Sequence, residues 1–343
     1  MIEAPKVSPA LMLQAKETIA RTLSPTPLIR LNSASENGVW LKCESFQPTG
    51  SFKIRGATFK LSTLTRVERE SGVVAYSTGN HAQAVAYACR AIGVQCTIVM
   101  SADAPEEKIE ATCRLDAQVI MAEPSSAARR ELAESIAQSS KASLIAPYDD
   151  FDVIAGQSTI AAELATQFSD LSAATVFIPI GGGGLIAGIA SALRHHTPGC
   201  RIIGVEPAAR GNALQSFKTG RNVASASPNM TIADAVRVSV LGDLTFPIIR
   251  RHVDDIVQVT DEEIISATLF LHDECKLVSE PAGGIALAAA LKSGPERNPK
   301  IVIATGGNIA LETLCSFRKR AQSRSEPEGA SRAHASTRKQ KDF

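Results

Sequence analysis

Short, continuously apolar runs that alternate with helical patterns limit how this chain can fold. "GVVAYS" (72–77) precedes "NHAQAVAYACRAIG", "QCTIVM" (95–100) precedes "APEEKIEATCRLDA", and "AQVIMA" (117–122) precedes "SSAARRELAESIAQSS". Further on, "TVFIPI" (175–180) precedes "LIAGIASALRHH", "RIIGVEP" follows, and "KIVIATGG" (300–307) closes the series. Because the runs do not alternate apolar with polar, both faces of each strand must be covered. That is the condition of a parallel sheet flanked by helices. The expected fold class is α/β with two domains, each an open, mostly parallel sheet. Residues 1–71 and 150–317 are expected to form a large domain and 72–149 a small one, with 318–343 a disordered basic tail.

Several functions are excluded early. At 343 residues, 44% hydrophobic and 21% charged, the chain has the make-up of a globular protein with a sizeable core. No run of about 18 apolar residues exists, so no membrane partner is expected. The N-terminus lacks a charged start followed by an apolar block, which makes the cytoplasm the expected location. Seven cysteines are scattered without a CxxC pair, so they read as reduced thiols. The segment 318–343 holds eight Lys or Arg against three acids, which leaves the rest of the chain net negative. No nucleic-acid partner is expected of such a body. The tail is poor in apolar residues and is expected to stay disordered.

The chemistry concentrates where strands end. Gly181, Gly182, Gly183 and Gly184 lie between a buried run and a helix, where bare backbone amides and a helix N-terminus can cradle a phosphate. The loop fits neither the dinucleotide GxGxxG fingerprint nor a GK[ST] nucleotide loop. "YSTGNHAQAVA" places Ser77, Thr78, Gly79, Asn80 and His81 at another strand end, the side on which open α/β sheets bind ligands. "IATGGNI" (303–309) repeats the pattern with Thr305. Finally, "PTGSFKIRGATFK" sets Lys53 between Phe52 and Ile54 at a helix start. Three polar turns and a lysine together describe a site for a small phosphorylated cofactor that also needs an amine.

These residues resemble the fold-type II pyridoxal-phosphate enzymes, and within them the threonine/serine dehydratase and serine racemase group. The pieces that carry the resemblance run in order from "TPLIRL" (26–31) and "KCESFQPTGSFKIRGA" (42–57) through "STGNHAQAVA" (77–86) and "APYDDFDVIAGQSTIAAEL" (146–164). They continue with "PIGGGGLIAG" (179–188), "GVEP" (204–207), "TIADA" (231–235), "SEPAGG" (279–284) and "ATGGN" (304–308). The resemblance implies a tryptophan-synthase-β-like fold and pyridoxal 5'-phosphate as cofactor. It implies that Lys53 carries the cofactor and then serves as base, while Phe52 packs against it. Gly181 to Gly184 would take its phosphate, Asn80 its phenolic oxygen, and Thr305 would face its pyridine nitrogen. The loop Ser77, Thr78, Gly79, Asn80 and His81 would hold the substrate carboxylate.

The implied reaction is elimination from a small L-β-hydroxy amino acid such as threonine or serine, giving a 2-oxo acid and ammonia. Threo-3-hydroxyaspartate and ectoine or hydroxyectoine breakdown are alternatives, and an amino-acid racemase is a further one. Departures from the pattern sharpen the choice. Racemases carry serine where this chain has Thr78, the second catalytic candidate, and threonine is stiffer at χ1. Relatives hold a divalent cation through the glutamate of "GVEP", here Glu206, and an acidic residue six positions on, where this chain has Asn212. Ala235 stands where glycine is usual. No isoleucine-sensing domain follows, so that feedback is not expected, and a homodimer or higher homo-oligomer is.

Overall fold

The computed structural model describes residues 6–31, 38–226, 230–294 and 298–325. Helix α1 (Pro9–Thr22) starts where Ser8 accepts from the amide of Leu11, with proline in its first turn. Strand β1 (Leu28–Leu31) then pairs antiparallel with β2 (Val39–Cys43), and helices α2 (Lys53–Ser62) and α3 (Arg66–Ser71) follow. A compact βα series comes next: β3 (Val73–Tyr76), α4 (Asn80–Ile92), β4 (Cys96–Ser101), α5 (Glu106–Cys113), β5 (Gln118–Ala122), α6 (Ser126–Ser140) and β6 (Ser143–Ile145). These strands form a parallel sheet in the order β5-β4-β3-β6.

The chain then returns through α7 (Phe151–Gln167), β7 (Thr175–Pro179), α8 (Gly184–His196), β8 (Arg201–Pro207), α9 (Asn212–Thr219), α10 (Thr245–His252) and β9 (Asp255–Val259). Helices α11 (Asp261–Asp273) and α12 (Pro281–Lys292), strand β10 (Lys300–Ala304) and α13 (Leu311–Ser325) complete it. The second sheet has the order β1-β2-β10-β7-β8-β9, parallel except for β1. The central strands β7 and β10 are buried at every residue, as continuous apolar runs require. The chain is thus α/β with parallel-rich sheets flanked by helices. One boundary needs correction: α13 runs to Ser325, past the expected start of a disordered tail at 318. Arg318 grips Asp273 with both terminal nitrogens and Arg320 donates to Glu262 at 2.6 Å, so basic residues that read as solvated tail find carboxylates on α11. The remainder of the tail, 326–343, lies outside the described residues.

Three helices meet behind Lys53, and glycine sets how closely. A Cβ at Gly156 of α7 would stand 2.6 Å from the Cα of Gly56 on α2, and one at Gly188 of α8 would stand 2.3 Å from the carbonyl of Ile154 on α7. Any side chain at either place pushes two backbones apart.

Between those helices and β2 lies a buried charge cluster. Arg55, fully buried on α2, holds Glu44 through Nε (2.7 Å) and Nη2 (2.9 Å). The same guanidinium reaches Glu163 of α7 through Nη1 (2.6 Å) and Nη2 (2.9 Å) and the hydroxyl of Thr159 at 3.1 Å. Lys42, also fully buried, donates to Glu163, to Gln167 Oε1 at 2.8 Å and to the carbonyl of Thr26 at 2.8 Å. Two cations thus meet two carboxylates, and the bidentate geometry satisfies them. Burial pulls the Lys42 amine below its ordinary value, opposed by Glu163, while Glu44 and Glu163 hold Arg55 firmly charged. Arg55→Ala leaves the fully buried Glu44 carboxylate without its cation and is expected to remove about 3–5 kcal/mol of unfolding free energy, measured by chemical denaturation.

Candidate active site

The loop that carries Lys53 is clamped to a loop some 250 residues away, and the clamp explains both motifs. Phe52 N donates to the carbonyl of Thr305 at 3.0 Å, Ser51 and Gly306 form an antiparallel bridge, and Gly307 N donates to Gly50 O at 2.9 Å. Asn308 Nδ2 reaches the carbonyl of Thr49 at 2.9 Å, and Gly50, at φ +70°, has its Cα against the Asn308 amide. "PTGSF" and "ATGGN" are therefore two halves of one structure, which brings Phe52, Lys53 and the buried Thr305 together.

Lys53 opens α2 and is partly buried, with Nζ 2.7 Å from the carbonyl of Pro147 and 5.2 Å from the centre of the Phe52 ring. Dehydration of the amine lowers its pKa to about 8, partly opposed by the charge of Glu280. The neutral, nucleophilic form is thereby brought close to neutral pH.

Asn80, buried at the start of α4, donates from Nδ2 to Glu280 Oε1 at 2.6 Å and accepts at Oδ1 from Asn308 at 2.8 Å. One N–H of its amide remains for a ligand. Burial, with Asp234 nearby, raises the Glu280 carboxyl to about 8. The neighbouring His81 is buried, its Nε2 lies 3.0 Å from the carbonyl of Ile145, and burial together with the Lys53 charge lowers its pKa to about 3. A neutral imidazole thus ties α4 to the strand end that leads into Pro147. In the turn before α4, Ser77 Oγ accepts from Gly79 N at 3.2 Å and Thr78 Oγ1 accepts from Ser101 N at 3.4 Å. The first amides of α4 have no partner within the helix, which suits them to a carboxylate.

The glycine loop faces the same segment. A Cβ at Gly182 would stand 2.4 Å from the Tyr148 ring, and one at Gly184 would stand 2.9 Å from the Tyr148 carbonyl. Gly183, at φ +98°, has Thr245 and Ile249 against it, whereas Gly181 has room for a side chain. Thr245 Oγ1 donates to Gly182 O at 2.7 Å and Gly242 N donates to it at 3.1 Å. Asp149 fixes that partner segment, accepting from the amides of Asp243 and Leu244 at 2.9 Å each. Asp150 caps α7 through the amides of Asp152 and Val153 and pairs with Lys60 at 2.8 Å. Residues 147–150 therefore connect the lysine, the glycine loop and α7. Tyr148, Asp149 and Glu280 lie in the quoted runs "APYDDFDVIAGQSTIAAEL" and "SEPAGG", where the sequence reading named none of them singly. The paired aspartates before a helical run, and a glutamate at the helix entry "SEP", were the signals available.

These residues fit pyridoxal phosphate: an amine of lowered pKa, loop positions Gly182, Gly183 and Gly184 that admit no side chain, and an amide donor at Asn80. They do not fit a divalent cation at Glu206. Both its oxygens are already engaged, by the amides of Ala213 (3.0 Å) and Leu214 (2.8 Å) and by Gln258 Nε2 (3.1 Å). Among the described residues, no cluster of three or more His, Cys, Asp or Glu could hold a metal ion. The seven cysteines are all free, and no helix of the described residues is long and apolar enough to cross a membrane.

In cofactor-free protein, labelling of Lys53 by an amine-directed reagent is expected to speed up with rising pH and level off above about 8, because the protonated amine present below that value does not react. Peptide mass spectrometry across a pH series measures it. A midpoint near that of an ordinary exposed lysine refutes the assignment.

The sequence profile of the family described as "Pyridoxal-phosphate dependent enzyme" matches residues 19–306. Serine racemase of Schizosaccharomyces pombe is 40% identical over 308 residues, covering 88% of this chain and 94% of that protein. L-threo-3-hydroxyaspartate ammonia-lyase of Saccharomyces cerevisiae is 40% identical over 306 residues, covering 88% and 93%. The crystal structure of T.th. threonine deaminase superposes with a TM-score of 0.83 at 36% identity, covering 89% of this chain and 99% of that one. By these matches the chain belongs to the pyridoxal-phosphate dependent enzymes, in the branch that contains serine racemases and hydroxy-amino-acid ammonia-lyases.

Proposed function

We propose that this enzyme is an ammonia-lyase that removes the β-hydroxyl of a small L-amino acid of the threonine or serine kind and releases a 2-oxo acid and ammonia. The observation that carries the reading is Lys53, an amine with pKa about 8 held 2.7 Å from the carbonyl of Pro147. Pyridoxal phosphate, when bound, supplies the electron sink that makes the substrate Cα–H acidic. Lys53 holds the cofactor, and its freed amine takes the Cα proton. Pro147 O then accepts an N–H of the resulting ammonium. Gly181 to Gly184 offer amides to the phosphate, Phe52 covers a cofactor face, and Asn80 donates its remaining N–H to the phenolic oxygen. Thr305 gives the pyridine nitrogen a hydroxyl partner. The Ser77–His81 turn and the start of α4 take the substrate carboxylate. Net reaction loses one water from the substrate and adds one back to the released product, ending at the oxo acid and ammonia.

Thr78 separates this reading from racemisation. A racemase needs a second acid/base on the other face of Cα, and the Thr78 oxygen, stiffer at χ1 than a serine's, is turned toward the amide of Ser101 on β4. Threo-3-hydroxyaspartate is the alternative substrate, favoured by the yeast relative. In the same proposal, residues 72–149 act as a unit that closes over the substrate, and the Lys108–Asp234 pair at 2.7 Å is its latch to the rest of the chain. The enzyme works in the cytoplasm as a homodimer or higher homo-oligomer, which light scattering tests.

A panel of L- and D-hydroxy amino acids, read for oxo acid and for chirality, tests the activity. Wild-type protein is expected to form oxo acid from L-threonine, L-serine or L-threo-3-hydroxyaspartate, and Lys53→Ala to form none. Thr78→Ser is expected to raise the share of D-product. D-product without oxo acid from the wild type overturns the proposal.

A further inference from the structure

The turn after β8 is filled by a side chain whose charge no function has yet claimed. Arg210 is 4% exposed, and its guanidinium reaches three oxygens. Nη1 donates to the carbonyl of Ile180 at 3.0 Å, and Nη2 donates to the carbonyl of Val238 at 2.7 Å and to Asn212 Oδ1 at 2.8 Å. Ile180 immediately precedes Gly181, so this contact lies at the root of the glycine loop. The arginine backbone is fixed as well, since its carbonyl accepts from Ser225 Oγ at 2.9 Å.

The side-chain oxygens that a hard cation could use at this turn, and the Arg210 carbonyl, are therefore spoken for. Glu206 caps the first amides of α9, Asn212 Oδ1 faces a guanidinium, and the Arg210 carbonyl holds a hydroxyl. A divalent ion prefers about six to eight oxygens with carboxylates among them. It would here be set beside a permanent positive charge that cannot deprotonate. A planar guanidinium with five fixed donors gathers carbonyls much as a small ion does, without taking up coordination waters.

We propose that Arg210 is the resident cation of this corner. It ties the root of the glycine loop to the 206–212 turn and to the 236–238 segment, and by doing so it keeps the loop amides aimed at the cofactor phosphate without a divalent ion. The inference rests on residues 181–184 being the phosphate cradle. Arg210 is a positioning residue: it acts through Ile180 rather than by touching substrate.

The test titrates apoprotein with pyridoxal phosphate and with phosphate-free pyridoxal, reading absorbance. Wild-type affinity and melting temperature are expected to stay the same, within about twofold in dissociation constant, in EDTA, Mg²⁺ or Ca²⁺. Arg210→Met is expected to weaken pyridoxal phosphate about tenfold or more, the scale of a lost charge-assisted hydrogen bond, while leaving pyridoxal unchanged. Arg210→Lys recovers part of the loss. Wild-type protein that sheds cofactor in EDTA and regains it with Mg²⁺ overturns the proposal, as does Arg210→Met binding pyridoxal phosphate normally. Gly183→Ala tells two failures apart. If it too binds normally, the cradle reading falls; if it weakens binding while Arg210→Met does not, only the arginine inference falls. Should Arg210→Met fail to fold, the wild-type metal arms decide.

Discussion

Two carboxylates and two cations, three of them fully buried and Glu163 mostly so, lie behind Lys53 and set the geometry on which the rest of the site depends. Lys42 and Glu44 come from the end of β2, Arg55 from α2 and Glu163 from α7. None of these charges is tolerable alone in an apolar interior, so the three elements must arrive together or not at all. Arg55 lies two residues from Lys53, and the first turn of α2 inherits its direction from this knot. The stretch 42–57 thus contains both the reactive amine and the machinery that aims it. Close approach of α2, α7 and α8 at Gly56, Gly156 and Gly188 then brings the glycine loop, at the start of α8, to the same place.

The segment 147–150 does the joining. Its four residues each face a different part of the site: a carbonyl for Lys53, a ring against Gly182, a carboxylate for the 243–244 amides, and a cap for α7. It also begins where the small sheet ends, at β6, whose last carbonyl partners His81. That sheet is therefore tied to the amine through Pro147, besides its links through Asn80 to Glu280 and Asn308. The Ser77–His81 turn and Lys53 are thus joined through Ile145 and Pro147.

Much of this was legible before any coordinates. Buried central strands β7 and β10 announce themselves by unbroken apolar runs, and the polar turns at strand ends mark the site because glycine and hydroxyl clusters are uncommon there. Other parts were hidden for identifiable reasons. Strand β9, "DIVQV", sits at a sheet edge with Asp255 exposed, and β6 has three residues, so neither shows a clear period. The charge cluster has no local signature, since Arg55 is neutralised by Glu163 more than a hundred positions later. Glu206 read as a metal ligand because its type was right; its oxygens were claimed by backbone amides that sequence does not display. Arg210 was equally silent, because two of the oxygens it gathers are main-chain carbonyls about thirty positions to either side.

The clamp between residues 49–52 and 305–308 bears on how the protein is made. Strand β2 neighbours β10, so the lysine loop gains its partner only when nearly the whole catalytic chain has left the ribosome. Until then the central strand of the larger sheet is missing, and β2 and β7 are each left with an open edge. Pairings this distant in sequence are slow to form and leave apolar strand edges exposed while they wait. The Lys53 loop therefore reaches its final place only once β10 has closed the sheet.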